Sequence, residues 1–450
     1  MPLTYDLLII NGLILAAPGL RPPRPAGYIA IRGNTICEVG VMAELAGQTQ
    51  ARQTIDARGG LVMPGLVNGH CHAAMTLFRG LADDLPLMEW LERHIFPAEA
   101  RFVTREMVYW CSKLAAAEMI LSGTTTVADS YFYEEEAAKA LSDAGMRAIV
   151  AQGVIDFPAP GVPDPADSLR AAAAFIEACR GGSSALAAGG RVWGSGFERI
   201  TPAIFCHSPY TCSGKTLAGA KAIARQAGCK FFIHLAETHD EIKQIQGQHG
   251  MSPVQYLEHL QVLDRDSIAI HCVHLADRDL ELLQKREVGV ITCPESNMKL
   301  ASGIAPVPAM LAAGIRLGLG TDGCASNNDL DLFAEMDSLA KLHKVASLNP
   351  TTMPACQALR LATSGGAEVL GLGGIIGGLA PGLRADCLIL DLDTPHLTPF
   401  HNPDLLVYAA KGSDVRTSII DGVLIMHERE ILSFDLAETM ARVRELAAGL

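Results

Sequence analysis

Long apolar runs, basic clusters and paired cysteines are all missing from this sequence, and each absence removes a class of protein. No apolar stretch approaches the roughly 20 residues needed to cross a bilayer, so no membrane association is expected. The run Leu7–Ala17 has the apolarity of a signal peptide core, but it lacks a basic segment before it, carries Asp6 and is interrupted by Asn11-Gly12. No basic block accompanies the net charge of −13, which excludes nucleic acid as an expected partner. Twelve cysteines occur without one C-x-x-C pair, and Cys206, Cys272 and Cys293 sit inside apolar runs. Reduced, buried thiols in a cytoplasmic protein are expected, not a disulfide framework. Charged residues make up only 19% against 49% hydrophobic, which argues for a well-buried globular chain and against disorder.

What is present divides by style. At 450 residues the chain exceeds one usual domain, so a large unit and a smaller one are expected. Residues 1–60 read as short strands with tight turns: Leu7–Ile10 and Leu13–Ala16 flank Asn11-Gly12, and Tyr28–Arg32 and Thr35–Val39 flank Gly33-Asn34. Residues 373–450 repeat that style, with a strand at Asp386–Leu392, a hairpin of Thr417–Ile420 and Val423–Met426, and helical spacing over Asp435–Ala448. Together they predict a small β-sandwich domain built from both termini. Between them, residues 61–372 alternate strand-like and helical runs. Eight strands are expected: Leu61–Val67, Thr124–Ala128, Ala148–Gln152, Ala203–Cys206, Phe231–Ile233, Ser267–Ile270, Val288–Thr292 and Arg316–Gly320. Helices such as Arg105–Leu121 and Leu330–His343 lie between them. Eight such repeats in about 310 residues fit a distorted (β/α)8 TIM barrel better than a doubly wound sheet. Residues 156–200, rich in Pro, Gly and Ala, form an insertion of weak pattern with one helix over Asp167–Cys179.

Chemistry in such a barrel sits at the C-terminal strand ends. The first strand ends in His70 and His72, the fourth in His207, the fifth in His234 with Glu237 three residues on. The sixth ends in His271, the seventh in Glu295, Ser296 and Asn297, the eighth in Asp322. Five of the chain's 14 histidines therefore fall at strand ends, which scattered surface histidines would not do. In an extended strand His70 and His72 point the same way. Three neutral imidazoles (His70, His72, His234) and one carboxylate (Asp322) make a borderline-hard donor set suited to Zn²⁺ or Fe²⁺ with room for water. Glu237 could move protons for that water, and His271 could polarise the attacked centre. The literal G-x-G-x-x-G at 318–323 lies at the eighth strand and contains Asp322, so a dinucleotide loop is not expected.

Four segments carry a resemblance to the amidohydrolase superfamily: Pro64-Gly65-Leu66-Val67-Asn68-Gly69-His70-Cys71-His72, His234-Leu235-Ala236-Glu237, His271-Cys272-Val273-His274 and Gly320-Thr321-Asp322-Gly323-Cys324-Ala325-Ser326-Asn327-Asn328. Within it, the chain is similar to the 5′-methylthioadenosine/S-adenosylhomocysteine deaminases through LFRGLADDLPLMEWL (77–91), Ile95–Glu99, His207–Ser213 and Thr398–Asp404. The resemblance implies one divalent metal, zinc or iron, held by His70, His72, His234 and Asp322. It implies Glu237 as the proton carrier to the purine N1, Asp322 and His271 as assisting catalytic groups, Glu99 as the ribose-hydroxyl ligand and His207 as a substrate contact. Two-metal members use a carboxylated lysine at the fourth strand end; no lysine occurs between Lys139 and Lys215, which favours one ion. The other zinc deaminase signature, H-x-E with P-C-x-x-C, is absent. Trp90 is a candidate stacking lid, and Arg170 or Arg180 a candidate fork for a substrate carboxylate. The expected activity is hydrolytic deamination of an adenosine-type nucleoside. The alternative is attack on another heterocycle: guanine, 8-oxoguanine, a pterin or an s-triazine. A homo-oligomer is expected.

Overall fold

Two sheets organise the chain, and a single apolar run feeds both. The computed structural model describes residues 4–17, 24–45, 49–179 and 198–450. The strand expected over 61–67 divides: Leu61–Pro64 joins a nine-stranded sheet made from both ends of the chain, and Leu66–Cys71 opens an eight-stranded parallel sheet. Gly65 is the joint. A Cβ there would stand 2.1 Å from Thr125 Oγ1, so only glycine lets the chain pass that close to the next strand.

In the terminal sheet the order runs from Glu430–Ile431 through Val423–His427, Val415–Ile420, Cys387–Leu390, Leu61–Pro64 and Thr4–Ile14 to Arg24–Arg32 and Thr35–Val41, with Gln50–Asp56 also on Thr4–Ile14. The hairpins at Gly33-Asn34 and Asp421-Gly422 form as expected. The one expected at Asn11-Gly12 does not. Thr4–Ile14 is a single strand with an irregular register between Ile9 and Gly12 and Asn11 at φ +57°. Gly12 serves close approach instead of a turn, since a Cβ would come 2.5 Å from Val62 Cγ2. The kink lets one strand pair with Gln50–Asp56 by its first half and with Leu61 and Val62 by its second. Ile36 from one end of the sheet and Ile419 from near the other share one aliphatic cluster with Leu7, Ile9 and Ile389. Ala385 N donates to Asn34 O, so the sheet closes over itself as a sandwich does.

The parallel sheet runs in chain order: Leu66–Cys71, Thr124–Tyr131, Arg147–Val154, Ile200–Cys206, Phe231–Leu235, Ser267–His271, Gly289–Thr292 and Arg316–Leu319. This is the near-closed (β/α)8 barrel expected. Most of these strands are buried on both faces, as β/α crossovers require. First and eighth strands meet through a side-chain fork: Asn68 Nδ2 donates to Thr321 Oγ1, and Asn68 Oδ1 accepts from Thr321 N and His70 N. Asp322 N then donates to His70 O. The expected helix Arg105–Leu121 forms with those bounds, and Leu332–Ser347 lies where Leu330–His343 was expected. No helix among the described residues is long and apolar enough to cross a membrane.

Candidate active site

Each of the strand-end residues singled out above, His70, His72, His207, His234, Glu237, His271 and Asp322, lines one cavity of about 530 Å³ or contacts a residue that does. The backbone turns sharply where these side chains leave the barrel: Ala236, His271 and Asp322 take φ of +52°, +70° and +62°. Left-handed backbone is unfavourable for residues with a Cβ, at about 1 kcal/mol or more each, and such strain collects at functional sites. Here it falls at the ends of three strands, at the cavity-lining His271 and Asp322 and at Ala236, the residue before Glu237.

One ligand atom from each of His70, His72, His234 and Asp322 lies within 4.8 Å of all the others. In its neutral form His72 donates from Nδ1 to Ser130 O, which leaves Nε2 as a bare lone pair. That lone pair points at Asp322 Oδ1, 3.2 Å away. His70 Nε2 lies 3.5 Å from the same oxygen and 3.1 Å from His234 Nε2. Ser296 and Ser326 both donate to Asp322 Oδ2 at 2.7 Å, so Oδ1 is the oxygen left over. Burial pushes the His70 imidazole down to about 4 and His234 well below its ordinary value, which keeps both neutral. Lone pairs and a carboxylate oxygen converging on one point repel one another unless a cation stands between them. The donor set therefore fits a divalent metal of the borderline class.

Around these four stand further buried titratable groups. Glu237 is 6% exposed, its carboxyl pushed up by burial, with Oε2 3.7 Å from His271 Nε2. His271 Nδ1 meets Asn297 Oδ1 at 2.9 Å, which fixes the ring. Glu241 accepts Ala236 N and Glu237 N on its two oxygens, at 2.8 and 2.9 Å, and so clamps the turn that carries Glu237. Sequence reasoning missed Glu241, Asn68 and Ser326, and gave Ser296 and Asn297 no role. Their signal was weak, a carboxylate or small polar residue a few positions from a histidine or aspartate.

Glu99, which judged alone reads as a surface charge in a helix, is buried in Phe96–Phe102 and accepts from Tyr131 Oη at 2.7 Å. Burial pushes its carboxyl up to about 7. His207 is neutral, pushed down to about 3 by burial, with Nδ1 against Thr211 Oγ1 at 3.1 Å. Trp90 is buried and lines the cavity. Arg170 does not. Its side chain is 76% exposed and pairs with Asp167 at 2.6 Å, because the helix Ser168–Cys179 turns it to solvent. Arg180 lies outside the described residues.

Known proteins match this arrangement along the whole chain. The chain is 49% identical over 444 residues, 98% of both chains, to a 5-methylthioadenosine/S-adenosylhomocysteine deaminase of Syntrophobacter fumaroxidans. It is 44% identical over 448 residues, 99% of this chain and 98% of the other, to a 5′-deoxyadenosine deaminase of Methanosarcina mazei. Among solved structures, an adenosine deaminase from Xanthomonas campestris with bound zinc superposes with a TM-score of 0.93 at 34% identity, covering 100% of this chain and 99% of that one. Residues 61–425, which hold the barrel and every group of the cavity, match the Amidohydrolase family profile, and the chain belongs to that family.

Proposed function

We propose that the chain is a metal-dependent aminohydrolase that replaces the 6-amino group of adenosine-type nucleosides with oxygen, releasing the inosine analogue and ammonia. 5′-Methylthioadenosine, S-adenosylhomocysteine and adenosine are the candidate substrates. The carrying observation is that one cavity is lined by His72, His234 and Asp322, with His70 packed against His72 behind them, and by the buried Glu237 and the buried pair Glu99 and Tyr131. The relatives named as deaminases of such nucleosides support the same reading.

His70, His72, His234 and Asp322 would hold one ion, with zinc the best fit to three imidazoles and a carboxylate. A divalent cation there supplies Lewis acidity, which lowers the pKa of water towards about 7. Glu237 takes a proton from the attacking water and delivers it to the purine N1, which makes C6 electrophilic. His271, held by Asn297, steadies the charge that builds at the attacked carbon, and a second proton leaves with the amino nitrogen as ammonia. Glu99, supported by Tyr131, accepts from the ribose hydroxyls, and His207 contacts the purine and sugar. A cytoplasmic location is supported by twelve free cysteines, and the expected homo-oligomer is tested by light scattering, where a monomer at micromolar concentration would remove it.

Ammonia release measured across a panel of 6-aminopurine nucleosides and free heterocycles tests the reading. Turnover of the nucleosides is expected, with one equivalent of zinc by elemental analysis. Turnover confined to free bases or triazines would replace it with the heterocycle alternative.

A further inference from the structure

The stretch LFRGLADDLPLMEWL (77–91) brings Trp90 to the cavity, while its Arg79 and Asp83 stand outside the metal and proton chemistry. Both find partners at the ends of the seventh and eighth barrel strands. Asp83 Oδ1 accepts from Lys299 Nζ at 2.5 Å. The same ammonium donates to Asn328 Oδ1 at 2.6 Å and lies 3.5 Å from Ala325 O. Arg79 donates to Asn328 O and pairs with Glu118. Asn328 takes φ +83°, left-handed backbone that asparagine tolerates better than most residues. Lys299 closes the short helix Pro294–Lys299, whose Ser296 and Asn297 hold Asp322 and His271. The loop 323–328 supplies Ser326, the second donor to Asp322 Oδ2. One ammonium therefore ties the chain entering the helical run Leu87–Phe102 to both segments that seat Asp322.

That run carries Trp90 and Glu99 along one side of the cavity. Its apolar seat is shared with the same two segments, since Leu300 and Ala325 cluster with Leu87, Trp90 and Leu91. Apolar contacts of this kind resist separation but not sliding, whereas a charge pair fixes a position. We propose that Lys299 is a positioning residue: by holding Asp83 it docks the run Leu87–Phe102 on the site and keeps Trp90 and Glu99 where a substrate meets them. The proposal rests on the nucleoside reading for what Glu99 meets, and goes beyond it in naming what holds Glu99 there. The Lys299 ammonium keeps the Asp83 carboxyl below its ordinary range, so both partners are charged at neutral pH. Their side chains are 21% and 36% exposed, which leaves the pair open to screening by salt. Ser296 and Asn297 keep their own bonds when the pair is broken, so binding suffers and the chemical step does not.

The test compares Lys299→Met, Asp83→Ala and the double variant with the parent, each as the intact metal-loaded enzyme. KM for 5′-methylthioadenosine is expected to rise about tenfold in Lys299→Met and about threefold in Asp83→Ala, with kcat and zinc content near the parent's. The double variant is expected to match Lys299→Met, because both changes remove the same contact. Salt at about 1 M, where the screening length is about 3 Å, is expected to raise KM of the parent and leave Lys299→Met as it was. Amide exchange over residues 79–103, followed without substrate, is expected to quicken in both single variants while the barrel strands keep their protection. Unchanged exchange in both would overturn the proposal, and so would quickened exchange with the parent's KM. A fall in zinc and kcat together would overturn it too, since Lys299 would then support Asp322 and not the run. Quickened exchange in an enzyme whose parent turns over no nucleoside would sink the deaminase reading and leave the docking role standing.

Discussion

At the scale of single residues, burial decides which carboxyls can do chemistry. Glu237 sits beside the ligand cluster with its ordinary acidity weakened by burial, which makes it a better base than an exposed glutamate. Glu237→Gln keeps the shape but cannot accept and return a proton, so kcat is expected to fall about a thousandfold with bound metal unchanged. Near-normal turnover in that variant would reassign the proton path. Glu99 gives a different readout. Its carboxyl titrates at about 7, raised by burial, so it is largely protonated below that pH and ionised above it. Ribose hydroxyls donate more strongly to a carboxylate than to an acid. KM for a nucleoside should therefore rise as pH falls through about 7, and Glu99→Gln should flatten that dependence; a KM independent of pH in the parent enzyme would dismiss the role. The ligand histidines and Asp322 were legible in the sequence because each closes a strand and each motif is unusual. Glu99 was not legible from its own neighbourhood, since a glutamate in a helical run is normally solvated, and the resemblance alone promoted it. Arg170 failed for the converse reason: charge was inferred to face the substrate, and the amphipathic helix Ser168–Cys179 faces it outward.

At the scale of elements, the strand pattern was easier to read than the strand partners. A run such as Leu61–Val67 carries the same apolar signature whichever sheet it joins, so nothing local announces that Gly65 passes it from one sheet to the other. Asn11-Gly12 has the composition of a turn, yet Gly12 is required by the nearness of Val62, a contact 50 residues away in sequence. The turns after the barrel strands follow the same logic. Glu241 binds Ala236 N and Glu237 N with separate oxygens, an arrangement that a glutamine can only half reproduce. Glu241→Gln is expected to release one of these N–H groups and let Glu237 drift. A displacement of about 1 Å at a catalytic group can cost on the order of a hundredfold in rate. The expected outcome is a fall in kcat of about ten- to a hundredfold with KM and metal content preserved. A fall in metal content parallel to kcat would show instead that Glu241 supports the His234 ligand.

At the scale of the whole molecule, the question is what joins the barrel to the terminal sheet. Arg147 opens the third barrel strand and reaches out of it with its guanidinium, which meets both oxygens of Asp386 at 3.0 and 3.1 Å and Asp421 at 2.9 Å. Asp386 adjoins Cys387–Leu390 and Asp421 follows Val415–Ile420, so one side chain bridges the two sheets. Asp386 also accepts Asp421 N at 2.7 Å, and its side chain is 2% exposed. Removing the cation would leave that carboxylate buried with backbone donors alone, and breaking such a pair from one side costs about 3–5 kcal/mol. Arg147 lies at the N-terminal end of its strand, the face of a (β/α)8 barrel that serves stability, opposite the catalytic end. Arg147→Ala is therefore expected to lower the urea midpoint substantially while the folded enzyme keeps its kcat and KM. Arg147→Lys should fall between the two, because an ammonium cannot span both carboxylates as a planar fork does. An Arg147→Ala variant with the parent's urea midpoint would mean that the two sheets are held by apolar packing alone, and one with parent stability but altered KM would place the fork in communication with the site.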